Sequence, residues 1–217
     1  MLYVDCFRGI AGDMFVGALI DAGADGARIR ETLSGIAKIS VRKTVKAGVP
    51  ATRFKVSYPK DKEDYSVLVG EVKALSLHRK TEETALSILE KLAVAEAKVH
   101  GVGLSDVHLH EAADSVVDAT ASAMALEDLS LIGGRVHAST VSVGALANAT
   151  SEILASHSIP FRHTSPHEIT TPTGAAIIAA LAPSFGDEPC LAGREGFGAG
   201  EKDFIHPNVL RVVLADE

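Results

Sequence analysis

Between residues 108 and 118 the chain reads His108-Leu109-His110-Glu111-Ala112-Ala113-Asp114-Ser115-Val116-Val117-Asp118, with His100 upstream. This is the densest store of nitrogen and oxygen ligands in the sequence. If Val107 to Glu111 is extended, the two-residue period of a strand puts His108 and His110 on one face, where two imidazoles can meet one metal. Glu111, Asp114 and Asp118 could then close the shell. Imidazole with carboxylate suits borderline divalent ions such as nickel or zinc, whereas carboxylates alone favour magnesium or manganese. Asp118 has a second reading, because Ser115 and Asp118 fit an S-x-x-D capping box and acids in a first helical turn are favoured by the helix dipole.

Three further segments could bind a ligand. Asp5-Cys6-Phe7-Arg8-Gly9-Ile10-Ala11-Gly12-Asp13 sets two glycines and two acids between a strand and a helix start. Such a turn can aim backbone N–H groups at an anion. It lacks the third glycine of a dinucleotide fingerprint and the Gly-Lys-Ser/Thr ending of a P-loop, so these residues by themselves favour a plain strand-to-helix connection with Asp13 as N-cap. Thr170-Thr171-Pro172-Thr173-Gly174 reads as a capped helix start with proline at its first position, a geometry that also receives phosphate. Capping does not account for Gly174, which leaves room for a ligand there. Gly193 to Asp203, with Gly196, Gly198 and Gly200 around Phe197, reads as a loop able to close over a ligand or as a plain surface connection. His137, His157, His163, His167 and His206 are scattered singly and receive no role.

The elements that must position these residues follow from periodicity and punctuation. Leu2 to Phe7 reads as a strand, Asp13 to about Gly23 as a helix, and Gly26 to Gly35 as a second helix. Val41–Lys46 and Arg53–Tyr58 flank Gly48-Val49-Pro50 and form a hairpin. Ser66 to His100 holds two helices broken near Ser76 to Thr81, and Asp114–Leu129 is another. Arg135–Val143 reads as a strand, Asn148–His157 and Pro172–Leu181 as helices, and Asn208–Leu214 as a C-terminal strand. This alternation predicts an α/β fold: a single three-layer-like domain over residues 1–217, with a mixed sheet flanked by helices.

Composition bounds the function classes. The chain has 217 residues, 47% of them hydrophobic, and a formal charge of -7. Without a Lys/Arg-dense run, a nucleic-acid partner is not expected. No apolar run has the length of a signal peptide or a membrane span, so a cytoplasmic, membrane-free location is expected. Cys6 and Cys190 are too few for a disulfide framework or a four-thiolate site, so any metal site leans on His and carboxylates.

Taken in order, the segments resemble the LarC family of nickel-insertion proteins, specifically its N-terminal domain. The resemblance rests on Tyr3-Val4-Asp5-Cys6-Phe7 with Gly9-Ile10-Ala11-Gly12-Asp13-Met14, on Ala95-Glu96-Ala97-Lys98-Val99-His100-Gly101, and on His108-Leu109-His110-Glu111 with Asp114-Ser115-Val116-Val117-Asp118. It continues through Thr171-Pro172-Thr173-Gly174-Ala175-Ala176 and ends on Gly196-Phe197-Gly198-Ala199-Gly200 with Asp203-Phe204 and Pro207-Asn208-Val209-Leu210-Arg211. The resemblance implies insertion of nickel into pyridinium-3,5-bisthiocarboxylic acid mononucleotide at the expense of CTP, a nickel chelatase (cyclometallase) of the lyase class. On this footing His108, His110, Glu111, Asp114 and Asp118 handle metal. Asp5, Asp13 and Glu111 serve catalysis, and Gly9, Gly12, Thr171, Thr173, Gly174 and Gly198 hold the nucleotide. CTP with manganese or magnesium would bind through a separate C-terminal chain or domain, and a homo-oligomer is compatible with all of this.

The sequence also departs from that family. Residues 61 to 70 lack its histidine-rich stretch, and Ala112-Ala113 stand where the family's acidic motif is two residues longer and carries a glycine. A shorter connection replaces its Ala-His-Gly and Pro-rich loop between Gly144 and Thr150. A non-catalytic carrier of nickel or nucleotide is the alternative reading.

Overall fold

The computed structural model describes residues 1–57, 62–110, 112–186 and 192–215, and side chains at all of these except 62, 110, 112 and 113. Among them, seven strands form one sheet in the order β2-β3-β10-β11-β1-β6-β9. The strands are β1 (Leu2–Asp5), β2 (Lys38–Lys46), β3 (Val49–Ser57), β6 (Val136–Ala138), β9 (Ser184–Phe185), β10 (Arg194–Ala199) and β11 (Val209–Leu214). β1 runs parallel to β6 and antiparallel to β11, which is antiparallel to β10, which in turn is parallel to β3. The carboxyl ends of β1, β3 and β10 therefore lie at one edge of the sheet. The mixed α/β class is the one expected.

The hairpin is tighter than its sequence suggests. β2 and β3 pair from Lys38↔Ser57 to Lys46↔Val49, so the turn is Ala47-Gly48, both with positive φ, and Val49 and Pro50 already belong to β3. Two positive-φ residues match the twist of the flanking strands.

The helices stack on the sheet in layers. α1 (Gly12–Asp21) packs on β3, β10 and β11, and behind it lies α5 (Ala112–Asp128), in turn against α4 (Arg79–His100) and α7 (Pro172–Leu181). α5 is buried all round from Ser115 to Leu126. Ala119, Ala121, Ala123 and Ala125 let neighbouring helices approach it from several sides, as expected for a helix at the centre of a core. α2 (Gly26–Thr32), α3 (Tyr65–Ala74) and α6 (Asn148–Ser156) complete the helical side, and one apolar cluster runs from Leu2 to Val212. α7 starts where its threonine and proline predict: the Thr171 hydroxyl accepts from the Gly174 N–H at 3.2 Å.

Two ribbons stand apart from the main sheet. β4 (Lys62–Asp64) pairs antiparallel with β5 (His108–His110), and β7 (Val141–Val143) pairs parallel with β8 (Phe161–His163). The single strand expected over Arg135–Val143 is thus two, β6 and β7, in different sheets. The break falls at Ser139, whose N–H bonds the Val4 carbonyl and whose hydroxyl accepts from the Cys6 N–H.

Gly193 to Asp203 is also corrected. Its first half is β10, paired with β11 along its whole length. A Cβ on Gly198 would lie 1.7 Å from the Met14 carbonyl oxygen, and one on Gly196 would lie 2.1 Å from that of Ala18. The alternating glycines let α1 lie directly on the strand.

Candidate functional site

A cleft of about 360 Å³ opens at the carboxyl ends of β1, β3 and β10. In open α/β sheets this is the edge where ligands bind. β3 and β10 pair in register at Thr52↔Gly198, and beyond that pair Arg53, Phe54, Lys55 and Val56 border the cleft. The starts of α1, α5 and α7 face it from the other side through Gly12 and Asp13, Asp114 and Ser115, and Thr171, Pro172 and Thr173. Each helix start presents N–H groups and the positive end of a dipole.

One wall is acidic. Asp13, Asp114 and Asp118 line it together with Glu96 from α4, whose carboxylate lies 3.4 Å from His100 Nε2. Asp118 is buried beneath α1: a Cβ on Gly12 would come within 2.2 Å of its carboxylate. Since α5 begins at Ala112, Ser115 and Asp118 lie inside the helix, and the capping-box reading does not describe them. Asp13 is not the N-cap of α1 either; Ala11 holds that position, and Asp13 accepts from the Met14 N–H at 2.7 Å. Burial pushes the Asp13 carboxyl up to about 6, against the pull of that N–H; Glu201 and Asp114 raise it further and Arg53 lowers it.

The opposite wall is basic and was not singled out from sequence. Arg53 and Lys55 both reach Glu201 Oε1, at 2.8 and 3.1 Å, and Lys202 reaches Glu168 at 3.3 Å. The only local signal was the Arg-Phe-Lys alternation of a strand; that it meets residues 201 and 202 depends on the parallel pairing of β3 with β10.

The remaining expected residues divide. Leu109 is buried and lines the cleft, while His108, next to it on the strand, is half exposed and its Nδ1 contacts the Asp64 carboxylate across the β4–β5 ribbon. His108 does not border the cleft that Asp114 and Asp118 share. Glu111 and the His110 side chain lie outside the described residues. No group of three or more His, Cys, Asp or Glu among the described residues has a metal-holding arrangement.

Asp5 also stands away from the cleft lining, capping the short turn that follows β1 through the Phe7 N–H and lying 3.8 Å from Arg211. Gly9 and Gly174 are positions of close approach. Gly9 has φ +83° and its Cβ would lie 1.9 Å from the Ile169 carbonyl oxygen, and a Cβ on Gly174 would lie 2.2 Å from that of Ile10. Helix-to-turn packing thus accounts for Gly174, and Gly198 is likewise filled by α1. Cys6 is buried, which raises its thiol far above the ordinary range and keeps it protonated, so it is no ready metal ligand.

The family model described as nickel insertion protein matches residues 2–217. The chain belongs to the nickel insertion protein family. A member from Geobacillus kaustophilus, named pyridinium-3,5-bisthiocarboxylic acid mononucleotide nickel insertion protein, is 36% identical over 247 positions that take in 100% of this chain and 60% of its own length. A protein from Citrifermentans bemidjiense described as a candidate nickel insertion protein is 39% identical, over 99% of this chain and 61% of its own length. This member of the family therefore spans about three fifths of the length of the relatives it matches, and an alignment of 247 positions against 217 residues means that the relative carries segments lacking here. No solved structure matches this nickel insertion family chain. No described helix is long and apolar enough to cross a membrane.

Proposed function

We propose that this chain carries out the nickel-handling half of nickel insertion into pyridinium-3,5-bisthiocarboxylic acid mononucleotide. The observation that carries this reading is the two-sided cleft, carboxylates with helix starts on one wall and cations on the other, in a member of the nickel insertion family. A mononucleotide that carries a phosphate and accepts a divalent cation needs both walls. The volume is within the range of small-molecule sites.

Nickel is the substrate drawn in by the charge of the acidic wall, where Asp13, Asp114 and Asp118 line the cleft without forming a metal-holding group of their own, and the mononucleotide completes its coordination. His108 and His110 belong to an outer ribbon where the ion is collected before transfer, a step to which we also assign Glu111, their neighbour in the chain. The start of α7, with Thr171 and Thr173, receives the phosphate, and Gly9, Gly12 and Gly174 let the turn and helix starts close around it. Asp5 acts through Arg211 and the turn after β1, without touching substrate. Forming a carbon–nickel bond expels a proton from the ring carbon, and Asp13, a carboxylate in the cleft lining, stands where it can accept it. We further assign the entry of CTP with manganese or magnesium to a separate C-terminal part, the complete reaction to the lyase class and its location to the cytoplasm.

The test is nickel titration of the whole chain by calorimetry, alone and with Asp13→Asn, Asp114→Asn and Asp118→Asn. Stoichiometric binding lost in these variants is expected. Absence of binding in the parent chain, or binding that survives all three substitutions, overturns the reading. The carrier reading draws on His108, which stands outside the cleft lining. It wins if nickel binds yet no metallated mononucleotide forms when CTP, manganese and a relative's C-terminal part are added.

A further inference from the structure

Among the cleft residues, Arg53 and Glu201 are oddly matched as partners. The Arg53 side chain is only 15% exposed, whereas Glu201 is 68% exposed at the mouth, on the segment that leaves β10. A largely buried guanidinium requires an anion close by, yet an exposed carboxylate gains little from an ion pair in water. Lys55 Nζ binds the same Glu201 oxygen, so two cations converge on a single carboxylate.

The Glu201 side chain is not what secures its own segment. Lys46, buried at the end of β2, donates to the carbonyls of Glu201 and Lys202 at 3.1 and 3.3 Å and to Asp203 Oδ1 at 2.5 Å. The Asn208 amide donates to the Lys202 carbonyl at 2.8 Å, and the Gly200 N–H to the Asn208 carbonyl at 3.0 Å. The main chain from Gly200 to Asp203 is therefore anchored independently. The Glu201 carboxylate can swing away without releasing it.

We propose that Arg53 and Lys55 form an oxyanion seat within the cleft, which Glu201 fills in the unliganded protein and vacates when an oxyanion of the ligand arrives. The fork of Arg53 suits a carboxylate-type group or a phosphate. The seat stands beside the acidic wall, since Asp13 feels the charges of both Arg53 and Glu201. The exchange keeps the guanidinium paired at every stage and leaves the acidic wall facing an anion of unchanged sign. The ligand's identity rests on the nickel-insertion reading; the seat itself does not.

The experiment uses the whole chain without nickel, titrated separately with pyridine-3,5-dicarboxylate and with inorganic phosphate. Removing the occupant in Glu201→Gln is expected to tighten binding of one of these anions about tenfold. Arg53→Lys, which keeps the charge and loses the fork, is expected to weaken it by a similar factor. Which anion responds tells a carboxylate seat from a phosphate seat. Urea midpoints check that both variants fold. Glu168→Gln removes another cleft carboxylate without touching the seat and should have a clearly smaller effect. The seat is overturned if Glu201→Gln binds neither anion, binds no more tightly than the parent, or gains no more than Glu168→Gln does. A chain that passes these tests but never takes up nickel sinks the insertion reading and leaves the seat standing.

Discussion

Asp13 has to be held in an unfavourable state to be useful. Its folded pKa of about 6 lies above the ordinary 3.8, so between those values the folded chain binds a proton that the unfolded chain has released. Stability therefore falls as pH rises through this window, and by pH 7 the charged, buried carboxylate costs about 2 to 3 kcal/mol. Asp13→Asn is expected to raise the unfolding free energy at pH 7 by roughly 2 kcal/mol, with the gain fading below about pH 4, as read from urea curves across pH. The same variant should lose nickel affinity. A bound divalent cation would draw the proton off, so nickel binding to the parent chain near pH 6 should release protons, detectable as a buffer-dependent binding enthalpy. Thr171→Ala removes a single cap bond and should cost about 1 kcal/mol.

The cleft depends on elements lying closer together than ordinary side chains would allow. α1 rests on β10 through Gly196 and Gly198, and the start of α7 rests on the turn after β1 through Gly174. Gly198→Ala would place a methyl 1.7 Å from a main-chain oxygen, and Gly174→Ala one at 2.2 Å. Neither neighbour is a flexible side-chain tip, so the elements themselves must move. Each substitution is expected to cost about 3 kcal/mol or more in thermal or urea unfolding. If either is tolerated within about 0.5 kcal/mol, the close packing assigned to it is wrong. The elements were legible unevenly. α7 announced itself through Thr171 and Pro172, and the hairpin through its alternating strands. β10 did not, because three glycines in five residues read as a loop until α1 is known to lie on them.

At the scale of the molecule, the sheet order decides which residues meet. The Asp13 turn follows β1, Arg53 and Lys55 end β3, and Glu201 follows β10; all three strands point the same way, so segments some 40 to 190 residues apart in the chain share one mouth. The relatives are longer by about two fifths of their length. The expected outcome is that this chain alone binds nickel but forms no metallated mononucleotide. Adding the remaining part of a relative in trans, with CTP and manganese, should start turnover, followed by mass spectrometry of the nucleotide. Turnover by the chain alone would show that the remaining part of the relative is not required.

The sequence by itself determined what local physics can specify. Hydrophobic period located α1, α4 and α5, and cap chemistry located α7. The same residues carried the family resemblance, and with it the expectation of nickel. Only the tertiary structure decided how the ligand-rich run from His108 to Asp118 is shared out. The pairing of β5 with β4 set His108 against Asp64 and left Leu109 facing the cleft, and the burial of α5 turned Asp118 inward to join Asp13. The basic wall was likewise invisible beforehand, because an Arg and a Lys on a strand become a site only when a parallel neighbour far along the chain brings Glu201 against them. Period and capping act within a few residues, whereas register and packing act between segments that the chain order keeps apart.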